Sequence, residues 1–152
     1  MKLMCEHIRK DFLRKGHGTN VLPVLKETNL TLSPGELTVL TGRSGSGKST
    51  LLNILSGLLV PTAGRVLYGE TELYALTDED RSALRNREFG YIPQGHSAVR
   101  SLTVLENILL PLTLYGDTSG AERAEHLMKR MGIAALSDVM PNELSGGELR
   151  RM

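Results

Sequence analysis

Apolar positions along the chain switch repeatedly between a period of two residues and one of three to four, the alternation of strands and helices that marks an α/β protein. Residues 3–8 read as a short strand. Residues 12–21 form a polar excursion containing Gly16 and Gly18, assigned to a loop, and residues 29–32 alternate as a second strand. Ser33-Pro34-Gly35-Glu36 places proline and glycine at the two central positions of a type II turn, which feeds an apolar strand over 37–41. A glycine-rich stretch follows at once. Beyond it Leu51, Leu52, Ile54, Leu55, Leu58 and Leu59 are apolar nearly all round the helix they predict, so that helix is expected to be buried, with Gly57 as its C-terminal cap.

The second half continues the pattern. Residues 64–68 and 89–92 read as strands, and Thr77 with Asp80 opens a short charged helix reaching about Asn86. Arg81, Arg85 and Arg87 on that helix are expected to form a solvated face. From Leu102 the apolar positions Leu105, Ile108, Leu109 and Leu112 follow helical spacing, and Pro111 is expected to kink or end that helix because it lacks a backbone donor. Ser119 with Glu122 reads as a capping box starting an amphipathic helix that Gly132 closes; residues 134–142 then lead to Leu144-Ser145-Gly146-Gly147-Glu148.

Composition narrows the class. With 152 residues the chain can bury one core, and 40% hydrophobic and 23% charged residues at net charge +1 describe a globular protein without polyelectrolyte character, so nucleic acid is not expected as the main partner. Cys5 is the single cysteine, which excludes an internal disulfide and a four-ligand thiolate metal site. No apolar run approaches the roughly 18 residues that span a bilayer, so direct membrane insertion is not expected. His7, His17, His96 and His126 show no ligand spacing and are assigned no role.

The strongest chemical signal lies between strand and buried helix. Gly42-Arg43-Ser44-Gly45-Ser46-Gly47-Lys48-Ser49, running on into Thr50, satisfies the Walker A pattern of two glycines five apart followed by lysine and a hydroxyl residue. The glycines let successive N–H groups turn inward as a nest for phosphate, and the following helix points its positive end at the same anion. Lys48 is placed to reach the outer phosphates and Ser49 to offer a hydroxyl to Mg²⁺.

Two further motifs select among the proteins that carry such a loop. Tyr91-Ile92-Pro93-Gln94 ends a predicted strand in glutamine, and Leu144-Ser145-Gly146-Gly147-Glu148 follows about fifty residues later. With the Walker A loop these resemble the ATP-binding subunits of ABC transporters, in which they are the Q-loop and the signature motif. The resemblance covers essentially the whole chain. It is closest to the subfamily of lipoprotein release, macrolide export and peptide resistance, on Thr103-Val104-Leu105-Glu106-Asn107, Pro111-Leu112 and Pro61-Thr62-Ala63-Gly64.

The resemblance implies a P-loop NTPase core of α/β class with an N-terminal antiparallel β subdomain and an α-helical subdomain, incomplete at the C-terminus. Residues 1–94 would hold the β and P-loop core, and 95–152 the helical subdomain with the signature. It implies ATP and Mg²⁺ as cofactors. Gln94 would contact Mg²⁺ and the attacking water, Phe12 would stack on adenine, and Ser145, Gly146 and Gly147 would cap the γ-phosphate held by a second ATPase subunit. The other implied partner is a transmembrane permease, which would keep the subunit cytoplasmic and peripheral on the inner face of the membrane. The family's Walker B aspartate and catalytic glutamate come after the signature, so a truncated product is expected, with an apolar edge beside 37–41 and no hydrolysis by the chain alone. The alternative is a non-catalytic nucleotide-binding or interaction protein. The soluble ABC proteins of DNA repair, chromosome organisation and translation carry long coiled coils, zinc cysteines or basic linkers, which this sequence lacks.

Overall fold

A computed structural model of the chain describes every residue from Met1 to Met152 except His17, His96 and Thr118, and only the backbone of residues 15, 16 and 18–20. The readings made for His17 and His96 therefore lie outside the described residues. Contacts divide the chain into two compact units, Met1–Phe89 and Gly90–Met152.

The first unit is built on a long hairpin. Strand β1 (Leu3–Gly16) pairs antiparallel with β2 (Gly18–Leu32), in register from Leu3 opposite Leu32 to Gly16 opposite Gly18. Residues 12–16 and 18–21 are thus paired strand at its far end and not a loop: the two glycines end the strands, and Phe12 opposite Leu22 and Leu13 opposite Val21 are apolar cross-strand pairs that favour the ladder. Strand β3 (Ala63–Tyr68) pairs with the other edge of β1, and β4 (Thr71–Glu72) completes the order β2-β1-β3-β4. The register shifts between Glu6 and Arg9, where His7 has φ 51°, and Gly64 (φ 85°) lies against the carbonyls of Glu6 and His7 so closely that only glycine fits.

Helix α1 (Lys48–Leu55) lays Leu51, Ile54 and Leu55 on this sheet, against Cys5, Ile8, Leu25, Val66 and Leu73. Gly57 (φ 72°) closes it as expected, its N–H donating to Ile54 O at 3.1 Å. The helix is not buried all round, because Leu52 is 47% exposed, and Leu58, beyond its end, is 50% exposed. Two predicted strands are also absent. Gly35 (φ 78°) makes the turn, with the Glu36 N–H donating to Ser33 O at 3.3 Å, but residues 37–41 then run without ladder bonds, as do residues 89–92. The pattern there suits a parallel strand covered on both faces, and no described strand pairs with either segment.

Helix α2 (Asp78–Glu88) starts as read, the Thr77 hydroxyl accepting from the Asp80 N–H at 3.1 Å. Arg81 and Arg85 depart from the solvated-face reading, while Arg87 is exposed as expected. Arg85 donates to Gly57 O at 2.8 Å, just past the C-terminus of α1 where positive charge is favoured, and the Arg81 side chain, only 13% exposed, pairs with Asp78 and lies over the Tyr74 ring.

In the second unit α3 (Val104–Thr113) is opened by a capping box of Thr103 and Glu106 and runs past Pro111 to Thr113. Pro111 sits so near the end that it removes one ladder bond, and the Leu114 N–H still reaches Leu110 O at 3.0 Å. Helix α4 (Ala121–Met131) is capped by Gly120, not by Ser119, whose hydroxyl and N–H both donate to Asp117 at 2.6 and 2.8 Å. That local turn outcompetes the capping box and holds the Asp117 carboxyl below its usual range. Gly132 (φ 67°) closes α4 as predicted, and 3₁₀ turns at Ala134–Leu136 and Pro141–Glu143 lead to α5 (Gly146–Arg151). Val104, Met128 and Ile133 form the core of this unit.

Candidate functional site

The glycine-rich loop carries the site. Gly42, Gly45 and Gly47 have φ of 151°, 79° and 87°, conformations that side chains resist. A Cβ on Gly47 would stand 2.8 Å from Val24 O, and one on Gly42 would stand 2.9 Å from Ser46 Oγ. The Ser46 N–H closes the turn onto Arg43 O at 3.2 Å. The loop wraps the ammonium of Lys48, which donates to Gly42 O and Arg43 O at 2.8 Å and to Ser46 Oγ at 3.4 Å. Arg43, Ser44, Gly45, Ser46 and Ser49 face solvent, while Lys48 and Thr50 are half-buried.

Electrostatics distinguish the helix behind this loop. Helices α2, α3, α4 and α5 each place carboxylates in the first turn to neutralise their positive ends, and α1 has none there. Its N-terminus, with Lys48 at its first position, therefore carries no acidic side chain to offset the positive end of the helix dipole. Its other end is held by the Tyr74 hydroxyl, shared between Ile54 O at 2.6 Å and Leu59 O at 2.7 Å, with Arg81 5.4 Å from the Tyr74 ring centre. Burial pushes the Tyr74 hydroxyl up to about 12 against the opposing pull of Arg81 and Arg85. Neither the Val24 carbonyl that makes Gly47 obligatory nor this clamp carried a signal in the sequence.

The remaining predicted residues occupy separate places. Phe12 lies in the first unit with the loop, on β1, 38% exposed, with the Lys10 ammonium 5.2 Å from its ring centre. Gln94 is exposed on the irregular segment of the second unit. Ser145 caps α5 by accepting from the Glu148 N–H at 3.3 Å and donating to the Glu148 carboxylate at 2.6 Å, which keeps that carboxyl below its usual range. Gly146 and Gly147 are exposed in the first turn of α5.

An antiparallel sheet with α1 packed on it, a glycine loop that holds the Lys48 ammonium and a helix start without acidic residues together define a P-loop protein of α/β class. The sequence profile of the ABC transporter family matches residues 25–152. YtrE, an ABC transporter ATP-binding protein of Bacillus subtilis, is 37% identical over 97% of this chain and 65% of its own length. LolD of Pseudomonas syringae, a lipoprotein-releasing system ATP-binding protein, is 40% identical over 99% of this chain and 66% of its own length. Among solved structures, the dimeric form of MJ0796, a bacterial ABC transporter cassette, superimposes with a TM-score of 0.82 at 31% identity over 98% of this chain and 68% of that one. Its post-hydrolysis state bound to ADP and Pi gives 0.85. The chain belongs to the ABC transporter family. It spans about two thirds of the length of these curated relatives, 65% in the case of YtrE.

Proposed function

We propose that the chain is the nucleotide-binding part of an ABC transporter subunit that holds Mg-ATP in the loop from Gly42 to Thr50 and works with a second ATPase subunit on a separate permease. The observation that carries this reading is α1: no acidic residue in its first turn, glycines at positive φ before it, and Lys48 inside the loop. Residues 42–47 would cradle the phosphates with backbone N–H groups, and Lys48 would exchange its carbonyl partners for phosphate oxygens. A unit charge at 4 Å is worth about 4 kcal/mol at an effective dielectric of 20, before desolvation. The hydroxyl of Ser49 and the amide oxygen of Gln94 are hard ligands that suit Mg²⁺, which offsets phosphate charge when bound. Phe12 would stack on adenine, and Ser145, Gly146 and Gly147 would meet the nucleotide of the second subunit.

Docking on a permease is supported by a cavity of about 650 Å³ in the second unit, whose wall includes Pro93 and Gly95, the neighbours of Gln94, together with Tyr91 and Ile92. No described helix is long and apolar enough to cross a membrane, and a peripheral place on the cytoplasmic face through that permease fits. The cargo would belong to the permease: relatives about 40% identical bear names from lipoprotein release, macrolide export and putative hemin import.

Calorimetric titration of the 152-residue chain with Mg-ATP tests the reading. Binding is expected, weakened at least about tenfold in Lys48→Ala, while turnover is not expected of these residues alone. No binding by the unaltered chain, or equal binding by Lys48→Ala, would sink the phosphate-cradle reading.

A further inference from the structure

Lys10 makes two contacts that its place on a strand does not demand. Its ammonium donates to Val60 O at 2.7 Å, tying β1 to the segment that leaves α1, and stands 5.2 Å from the centre of the Phe12 ring. The same segment is fastened on either side of Lys10: the Thr62 N–H donates to Arg9 O at 2.8 Å, and the Asp11 N–H donates to the Thr62 hydroxyl at 2.9 Å. A long, rotamer-rich side chain is therefore fixed at its tip, and its charge lies within the range at which a cation is held by a ring. An exposed phenylalanine near the turn end of a hairpin would otherwise be free to rotate.

We propose that Lys10 is a positioning residue for the nucleobase: it holds the Phe12 ring from one side and leaves the opposite face for a purine to stack on. The inference rests on the reading of Phe12 as the base-stacking residue. It makes discrimination between a nucleotide and bare phosphate depend on a charge that touches neither. The loss of a cation–ring contact corresponds to roughly three- to tenfold in affinity, and it falls on the base alone.

The test compares Mg-ATP with Mg-tripolyphosphate, which offers the same phosphates without a base, by calorimetry on the unaltered chain and on Lys10→Met, Lys10→Arg and Phe12→Ala. Lys10→Met keeps most of the apolar stem and should lose roughly three- to tenfold for Mg-ATP while binding tripolyphosphate within about twofold of the unaltered chain. Lys10→Arg should recover most of the difference. Equal loss of both ligands in Lys10→Met would show a merely structural role, and an unchanged ratio would show no role; either overturns the proposal. Should Phe12→Ala move the ratio and Lys10→Met not, Lys10 alone is wrong. Should Phe12→Ala leave the ratio unchanged, the stacking reading falls and the proposal with it, and an unaltered chain that binds neither ligand overturns the cradle as well.

Discussion

At the scale of single residues, the loop separates glycines that its motif treats alike. Gly45 and Gly47 both have positive φ, 79° and 87°, but a Cβ on Gly45 meets nothing within 4 Å, whereas one on Gly47 runs into Val24 O at 2.8 Å. An alanine at either position pays about 1–2 kcal/mol for left-handed backbone. At Gly47 a backbone atom of β2 must also move, and it cannot swing aside as a side-chain tip would. Gly47→Ala is therefore expected to lower the thermal midpoint well below that of Gly45→Ala and to abolish Mg-ATP binding, whereas Gly45→Ala should fold normally. Calorimetric scans of the two variants decide it; coincident midpoints would mean that the contact with Val24 does not constrain the loop. The motif revealed the glycines because their spacing is local. The Val24 carbonyl that ranks them comes from a different strand and leaves no trace in the spacing.

At the scale of elements, α1 is defined from both ends, and the two ends were unequally legible. Its start follows from the glycine-lysine-serine sequence and its stop from Gly57, both within a turn of the helix. The clamp on its C-terminus is built by Tyr74 and Arg85, which lie 20 residues beyond Ile54 and 28 beyond Gly57. The hairpin is a similar case: Gly16 and Gly18 look like breakers until Phe12 is seen opposite Leu22. Tyr74→Phe keeps the packing, takes the hydroxyl donor from Leu59 O and leaves Ile54 O with the Gly57 N–H alone, so a loss of about 1–3 kcal/mol in stability is expected from urea titration. Its pH dependence gives a second handle. The Tyr74 hydroxyl is raised from the usual value of 10 to about 12, so its contribution is complete below pH 10 and is lost as pH rises from there towards 12. The unaltered chain should lose stability across that window, and Tyr74→Phe should lose less. Parallel slopes in the two proteins would show that the hydroxyl is not held as described.

At the scale of the whole molecule, the sequence marks residues 37–41 and 89–92 as strands, and the structure leaves both without a ladder. The local evidence for them was sound. Leu40 packs on the core while Leu37 and Val39 on the alternate positions are 91% and 71% exposed, and Phe89 has extended dihedrals before Ile92 at 94%. A strand, unlike a helix, satisfies its backbone only through a neighbour, so a pattern read along one segment predicts the strand's chemistry and not its pairing. Burial of one such side chain is worth roughly 1.5–3 kcal/mol, so Leu37, Val39 and Ile92 together supply several kcal/mol for any contact that covers them, beside unpaired backbone groups that template further pairing. The chain as it stands is therefore expected to bind a hydrophobic dye and to self-associate with rising concentration, seen as growing light scattering. Replacing Leu37 and Val39 by lysine should reduce both signals while leaving the thermal midpoint nearly unchanged, because neither side chain belongs to the core under α1. A chain that stays monomeric and dye-silent at high concentration would show that these residues are covered in solution, and the expectation of self-association would fall with it.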